Sequence, residues 1–144
     1  MTKVLIAADG SDQSVAAARA AHSLFGDAAE YLVVNVDQSM NAAMAWGASY
    51  PLVTPLPTLT DDPSALQRAA GVATDVATSA SLPDAESIGD VGDPAYAILR
   101  AADEHDVDLI VVGSHTHSWF SRLFTGSVSN DLLREADIPV LVVK

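Results

Sequence analysis

"GDPAYAILRAADEHDVDLIVVGSH", residues 92–115, reads as a helix that feeds a buried strand. Asp93 is a capping residue type, and Pro94 suits the first helical position, where a missing N–H costs nothing. The helical pattern runs from Pro94 to His105, and "DLIVVG" (Asp108 to Gly113) follows it as a near-continuous branched-aliphatic run. Such a run, apolar on successive residues instead of alternate ones, suits a strand covered on both faces. Helix and covered strand together form the repeating unit of a parallel α/β sheet.

The same unit recurs outward in both directions. "KVLIAA" (Lys3 to Ala8), "YLVVNV" (Tyr31 to Val36), "ESIGDV" (Glu86 to Val91) and "PVLVV" (Pro139 to Val143) make five strands with the one above, and only "ESIGDV" lacks the continuous apolar run. Further helical patterns occupy Ser11 to Phe25 after "DGSD", Pro63 to Ala80 after "TDD", and Ser127 to Glu135 after "TG", each opened by a capping residue or a proline. The chain of 144 residues therefore reads as one doubly wound α/β domain, residues 1–144, with a parallel five-stranded sheet flanked by helices.

Composition narrows the function. Seven Lys and Arg against 19 Asp and Glu leave a net charge of −12, which argues against phosphate-backbone binding to nucleic acid and disfavours an anionic membrane surface. Cysteine is absent, which excludes disulfides, thiolate metal sites and a thiol nucleophile. The opening "MTKVLIAADGSD" is too short in its apolar part for a signal peptide or a membrane span, so a soluble cytoplasmic protein is expected. A small anion remains compatible with this charge, because backbone N–H groups and helix ends supply local positive potential.

In a parallel sheet, three connections leave from the carboxyl edge, where open α/β sheets bind ligands: "DGS" after the first strand, residues 37–62 after the second, and residues 113–126 after the fourth. Acids are missing from Gln38 to Thr60 and from Leu109 to Asn130, which fits either chance or a surface spared for an anion. Gly113 lets a ligand approach the backbone, and Gly126 with Ser127 aims free N–H groups and a hydroxyl at one point. The plainer reading is that Gly113 turns the chain and that Ser127 or Ser129 caps a helix. Asp9 has two readings as well, ligand contact or turn chemistry. Arg122 is either a phosphate contact or a solvated surface residue, and His115 with His117 suits loop contacts better than a metal site. Trp119, Phe120, Leu123 and Phe124 are apolar enough to anchor their loop or to meet a partner, and Trp46 and Tyr50 fit either a lid over a base or a cover for the sheet.

"VLIAADGSDQS", "GSHTHSWFSRLFTGSVS" and "LLREADIPVLVV", together with the stretch quoted first, resemble the universal stress protein family over the whole chain. The resemblance implies a parallel sheet in the order 3-2-1-4-5. Nucleotide-binding members carry Gly, two residues, Gly, nine residues, then Gly and Ser or Thr. Gly113 matches the first glycine and Gly126 with Ser127 the last pair, whereas Thr116 stands at the middle glycine. By this resemblance Asp9 and Val36 hold ribose and adenine, and Val112, Gly113, His115, Thr116, Gly126, Ser127 and Val128 line the ribose and phosphates; Arg122 and Ser129 are candidate further phosphate contacts on their own chemistry, not on the resemblance. The implied ligand is ATP, or AMP or ADP, with or without magnesium. Thr116 narrows the path to the phosphates and shifts the expectation towards fewer of them.

The implied function is a stress-response regulator that binds adenine nucleotide and changes conformation or assembly; the alternative is a nucleotide-free dimeric interaction module. No base, nucleophile and oxyanion constellation is legible, so catalysis is limited to slow ATP hydrolysis or self-phosphorylation on Ser127 or Ser129. In the implied order, "IPVLVV" forms an edge strand ending at Lys144, and pairing with a second copy is expected to make a homodimer.

Overall fold

The computed structural model describes residues 1–37, 63–113 and 136–144. Strand β1 (Thr2–Ala7) leads to helix α1 (Asp12–Phe25), a 3-10 turn (Gly26–Ala28) and β2 (Ala29–Asp37). Helix α2 (Pro63–Ser79), β3 (Glu86–Val91), α3 (Pro94–Glu104), β4 (Leu109–Gly113) and β5 (Val140–Val143) follow. The strands form a single parallel sheet in the order β3-β2-β1-β4-β5, as the resemblance implied. The helix expected over Ser127 to Glu135 lies outside the described residues.

Alternate side chains of each central strand enter opposite core layers. Leu5, Leu32, Val34, Ile110 and Val112 pack with α3, whereas Val4, Ile6, Val33 and Val111 pack with α1 and α2. Burial on both faces explains why these strands are apolar at every position. Strand β3 is an edge and only half-buried, so it tolerates Glu86, Ser87 and Asp90. Its Gly89 has a steric cause: a Cβ there would lie 2.4 Å from the Leu66 carbonyl oxygen and 2.5 Å from the Ala70 nitrogen, so the backbone of α2 rests on the strand. The buried faces of α1 and α2 are mostly alanine (Ala17, Ala18, Ala21; Ala65, Ala69, Ala73, Ala77), which permits that close approach.

The helix starts are set by their caps. Ser11 Oγ accepts from the Ser14 N–H at 3.3 Å, and Asp93 Oδ1 accepts from the Tyr96 N–H at 3.0 Å with Pro94 next in line. Strand β2 starts two residues earlier than the apolar run, because Thr2 of β1 pairs with Ala29 across the sheet.

Candidate functional site

Because the strands are parallel, β1 to β4 release their chain at one edge, and α1, α2 and α3 begin there. Connections from β1 to β3 step in one direction; the crossover through α3 then returns the chain to the far side of β1. The reversal falls between β1 and β4, which is where open α/β sheets present a ligand crevice. Ile6 pairs with Val111, so Asp9 and Gly113 leave this crevice side by side.

At the β1 exit, Asp9 is half-buried and Oδ1 accepts from both the N–H of Ser11, at 2.9 Å, and its hydroxyl. Turn chemistry therefore engages one carboxylate oxygen. Among the described residues no donor reaches Oδ2, so turn and ligand roles are compatible in the same side chain. Gly10 follows with φ +85°, and a Cβ there would meet Val72 Cγ1 at 3.0 Å, so glycine suits this position on two counts.

Val36 and Val112 both belong to the core layer under α3, with 4% and 2% of their surface exposed. What they offer a ligand is backbone at the strand ends. Gly113 ends β4 in register with Val143 and is itself buried. His115, Thr116, Arg122, Gly126, Ser127, Val128 and Ser129 lie outside the described residues, as do His117, Trp46, Tyr50 and the aromatic cluster of residues 119–124.

Two residues at this edge were not singled out from the sequence. Asn35, 7% exposed, donates from Nδ2 to the Ala8 carbonyl oxygen at 2.8 Å. Its signal was an amide inside the apolar run "YLVVNV". Arg68 of α2 reaches Asp37 Oδ2 at 3.4 Å and the Ser64 hydroxyl at 3.1 Å, while the Asp37 carbonyl accepts from the Gly92 N–H at 3.1 Å. The end of β2 is thus tied to β1, to α2 and to the β3 exit. Arg68 carried no sequence signal, since its partner lies 31 residues away.

Elsewhere the chemistry is structural. The Arg100 guanidinium has its pKa raised, first by its hydrogen bond to Asp90, which joins α3 to β3. Tyr31 is raised above the usual phenol value, first by burial and then by the nearby Asp27 charge. Two surface clefts among the described residues open at the opposite, amino edge. One is lined by Leu99, Asp103, Asp106 and Ile138, the other by His22, Asp27, Glu30 and Tyr31. Acidic walls make both poor places for an anion. Among the described residues no group of three His, Asp or Glu side chains is arranged to hold a metal, and no helix is long and apolar enough to cross a membrane.

A family model described as Universal stress protein family matches residues 1–144. Universal stress protein MJ0531 of Methanocaldococcus jannaschii is 30% identical over 99% of this chain and 81% of its own length. Stress response protein NhaX of Bacillus subtilis is 45% identical over 37% of this chain, and the match spans about a third, 32%, of that relative. A solved structure of a universal stress protein in complex with cAMP aligns at TM-score 0.61 and 26% identity, covering 99% of this chain and 95% of that one.

Proposed function

The chain belongs to the universal stress protein family, and from that premise we propose that it binds an adenine nucleotide in the crevice between the β1 and β4 exits. The observation that carries the reading is the adjacent departure of Asp9 and Gly113 at the point where the strand order reverses. Support comes from the similar universal stress protein in complex with cAMP. Asp9 Oδ2 faces the role of a ribose contact, the backbone at Val36 and Val112 that of a base and ribose rim, and Gly113 that of an unobstructed path for the ligand. His115, Thr116, Gly126, Ser127 and Val128 supply the phosphate side in this reading, with Arg122 and Ser129 as candidate further contacts.

Thr116 at the middle glycine position favours AMP or cAMP over ATP, because a branched side chain takes space that phosphates need. Bound nucleotide acts as a signal in a stress response through conformation or assembly, in the cytoplasm. The assembly is a homodimer in this reading, since among the described residues β5 is an edge strand with Val142 exposed. Light scattering of the purified protein tests the dimer, and a monomer at micromolar concentration refutes it.

The test of binding is thermal. At one hundred times the dissociation constant a ligand stabilises the native state by about 2.7 kcal/mol, a rise of several degrees in Tm. AMP, cAMP, ADP and ATP, with and without magnesium, are compared at millimolar concentration. If none moves the melting point, the nucleotide-free interaction module replaces this reading.

A further inference from the structure

We infer that Asn35 is a positioning residue, whose carboxamide sets the Asp9 turn at the ligand crevice. The bond from Asn35 Nδ2 goes to the Ala8 carbonyl, which is the carbonyl of the peptide linking Ala8 to Asp9. The N–H of Ala8 is already held by the Val34 carbonyl at 2.9 Å. Strand β2 therefore grips Ala8 from both sides. Paired residues of β1 and β2 end at Ala7 and Val34, so the Asn35 side chain extends the hold of β2 past the ladder and up to the functional turn.

Stability alone does not account for an asparagine here. Its neighbours on the same sheet face are the apolar Val33 and Tyr31, and among the described residues no donor reaches its Oδ1. Burying an amide carries a desolvation cost that an apolar side chain of similar shape does not, and one hydrogen bond returns only part of it. What an apolar side chain lacks is the fixed orientation of the Ala8–Asp9 peptide. From that peptide the Asp9 carboxylate is aimed, and its Oδ1 in turn receives the Ser11 N–H and hydroxyl.

The inference rests on the nucleotide reading for its consequence and has a readout that does not. Asn35→Leu keeps the approximate shape and removes the donor; Asn35→Ala serves as a second variant should leucine fail to fold. Calorimetric titration of AMP, well below the melting temperature, is run on wild type, Asp9→Ala, each Asn35 variant and the double variants. Loss of the Asn35 donor is expected to weaken AMP about tenfold in the folded protein, with Tm unchanged or raised for leucine. In the Asp9→Ala background it should cost nothing further, because both changes act on one contact. Hydrogen exchange at the Ser11 amide should accelerate about tenfold or more in the variants without any ligand.

If wild type binds AMP and the Asn35 variants bind it equally well, the inference is overturned while the nucleotide reading stands. If wild type binds no nucleotide, that reading fails and Ser11 exchange decides. Accelerated exchange upholds Asn35 as the determinant of the turn, and unchanged exchange overturns it.

Discussion

The two edges of the sheet differ in both charge and construction. At the amino edge stand Asp27 and Glu30 beside β2, Asp84 and Glu86 beside β3, Glu104, Asp106 and Asp108 before β4, and Asp137 before β5. The carboxyl edge has fewer acids among the described residues, Asp9, Asp12, Asp37, Asp90 and Asp93, set against the starts of three helices and Arg68. Hydrogen bonds between described residues link the amino edge. Asp108 Oδ2 accepts from the Lys3 N–H at 2.8 Å, Lys3 Nζ donates to the His105 carbonyl at 3.0 Å, and the Tyr31 hydroxyl donates to the Gly26 carbonyl at 2.7 Å. At the carboxyl edge the described links run mainly through the end of β2. A net charge of −12 thus describes no particular surface: much of it lies on the edge away from the crevice, and an anion site on the other edge is compatible with it.

The largest expected effect concerns the body that keeps the edges apart. Gly89→Ala drives a methyl into the Leu66 carbonyl and the Ala70 backbone, neither of which can move without shifting α2. Overpacking against a helix backbone should cost about 3 kcal/mol, read by urea or thermal unfolding. A loss under about 1 kcal/mol would mean that α2 is free to lift from β3.

Next is Asp9→Ala, which separates the edges by function. It should erase most of the approximately 2.7 kcal/mol that saturating nucleotide adds, while the ligand-free protein loses only about 1 kcal/mol of turn and cap support. Equal nucleotide-induced melting shifts in variant and wild type would remove Asp9 from the crevice.

A smaller effect tests the amino edge by pH. Burial favours the neutral phenol of Tyr31, so its pKa lies higher in the folded than in the unfolded chain, where it is near 10. Stability from this group is complete below the unfolded value and is lost as pH rises through the folded one. Tyr31→Phe should lower stability by about 1 kcal/mol at neutral pH, through the lost bond to Gly26, and flatten the decline above about pH 10. Unfolding titrations from neutral to strongly alkaline pH compare the two proteins.

The smallest effect tests whether the edges communicate by charge. A strand of six residues spans about 20 Å, more than twice the screening length of about 8 Å at physiological salt. Asp27→Asn with Glu30→Gln should therefore change nucleotide affinity by less than about twofold at 0.15 M salt, measured by titration. A larger gain, fading as salt rises, would mean that the acidic edge repels the ligand through the domain.

Much of the fold is legible residue by residue. The runs around Leu5, Val33 and Ile110 announce doubly covered strands, and Ser11 and Asp93 with Pro94 announce helix starts, because caps and burial act locally. Strand ends were less legible: Thr2 and Ala29 extend their strands because each faces the other, which neither residue type signals. At the crevice, Asp9 and Gly113 carry motif character, but the motif does not reveal that Val36 and Val112 turn their side chains into the core.

By itself the sequence determined the parallel α/β class, the want of any thiol, and the glycine and capping positions at the edge. These depend on period, composition and short-range hydrogen bonding, which adjacent residues settle among themselves. Only the tertiary structure decided that the acids of several distant segments share one edge, that Gly89 exists for the backbone of α2, and that Asn35 holds the peptide before Asp9. The reason is physical: contacts between groups 27 residues apart or more arise only when strand order and register bring them together, and no local preference encodes which partner will arrive.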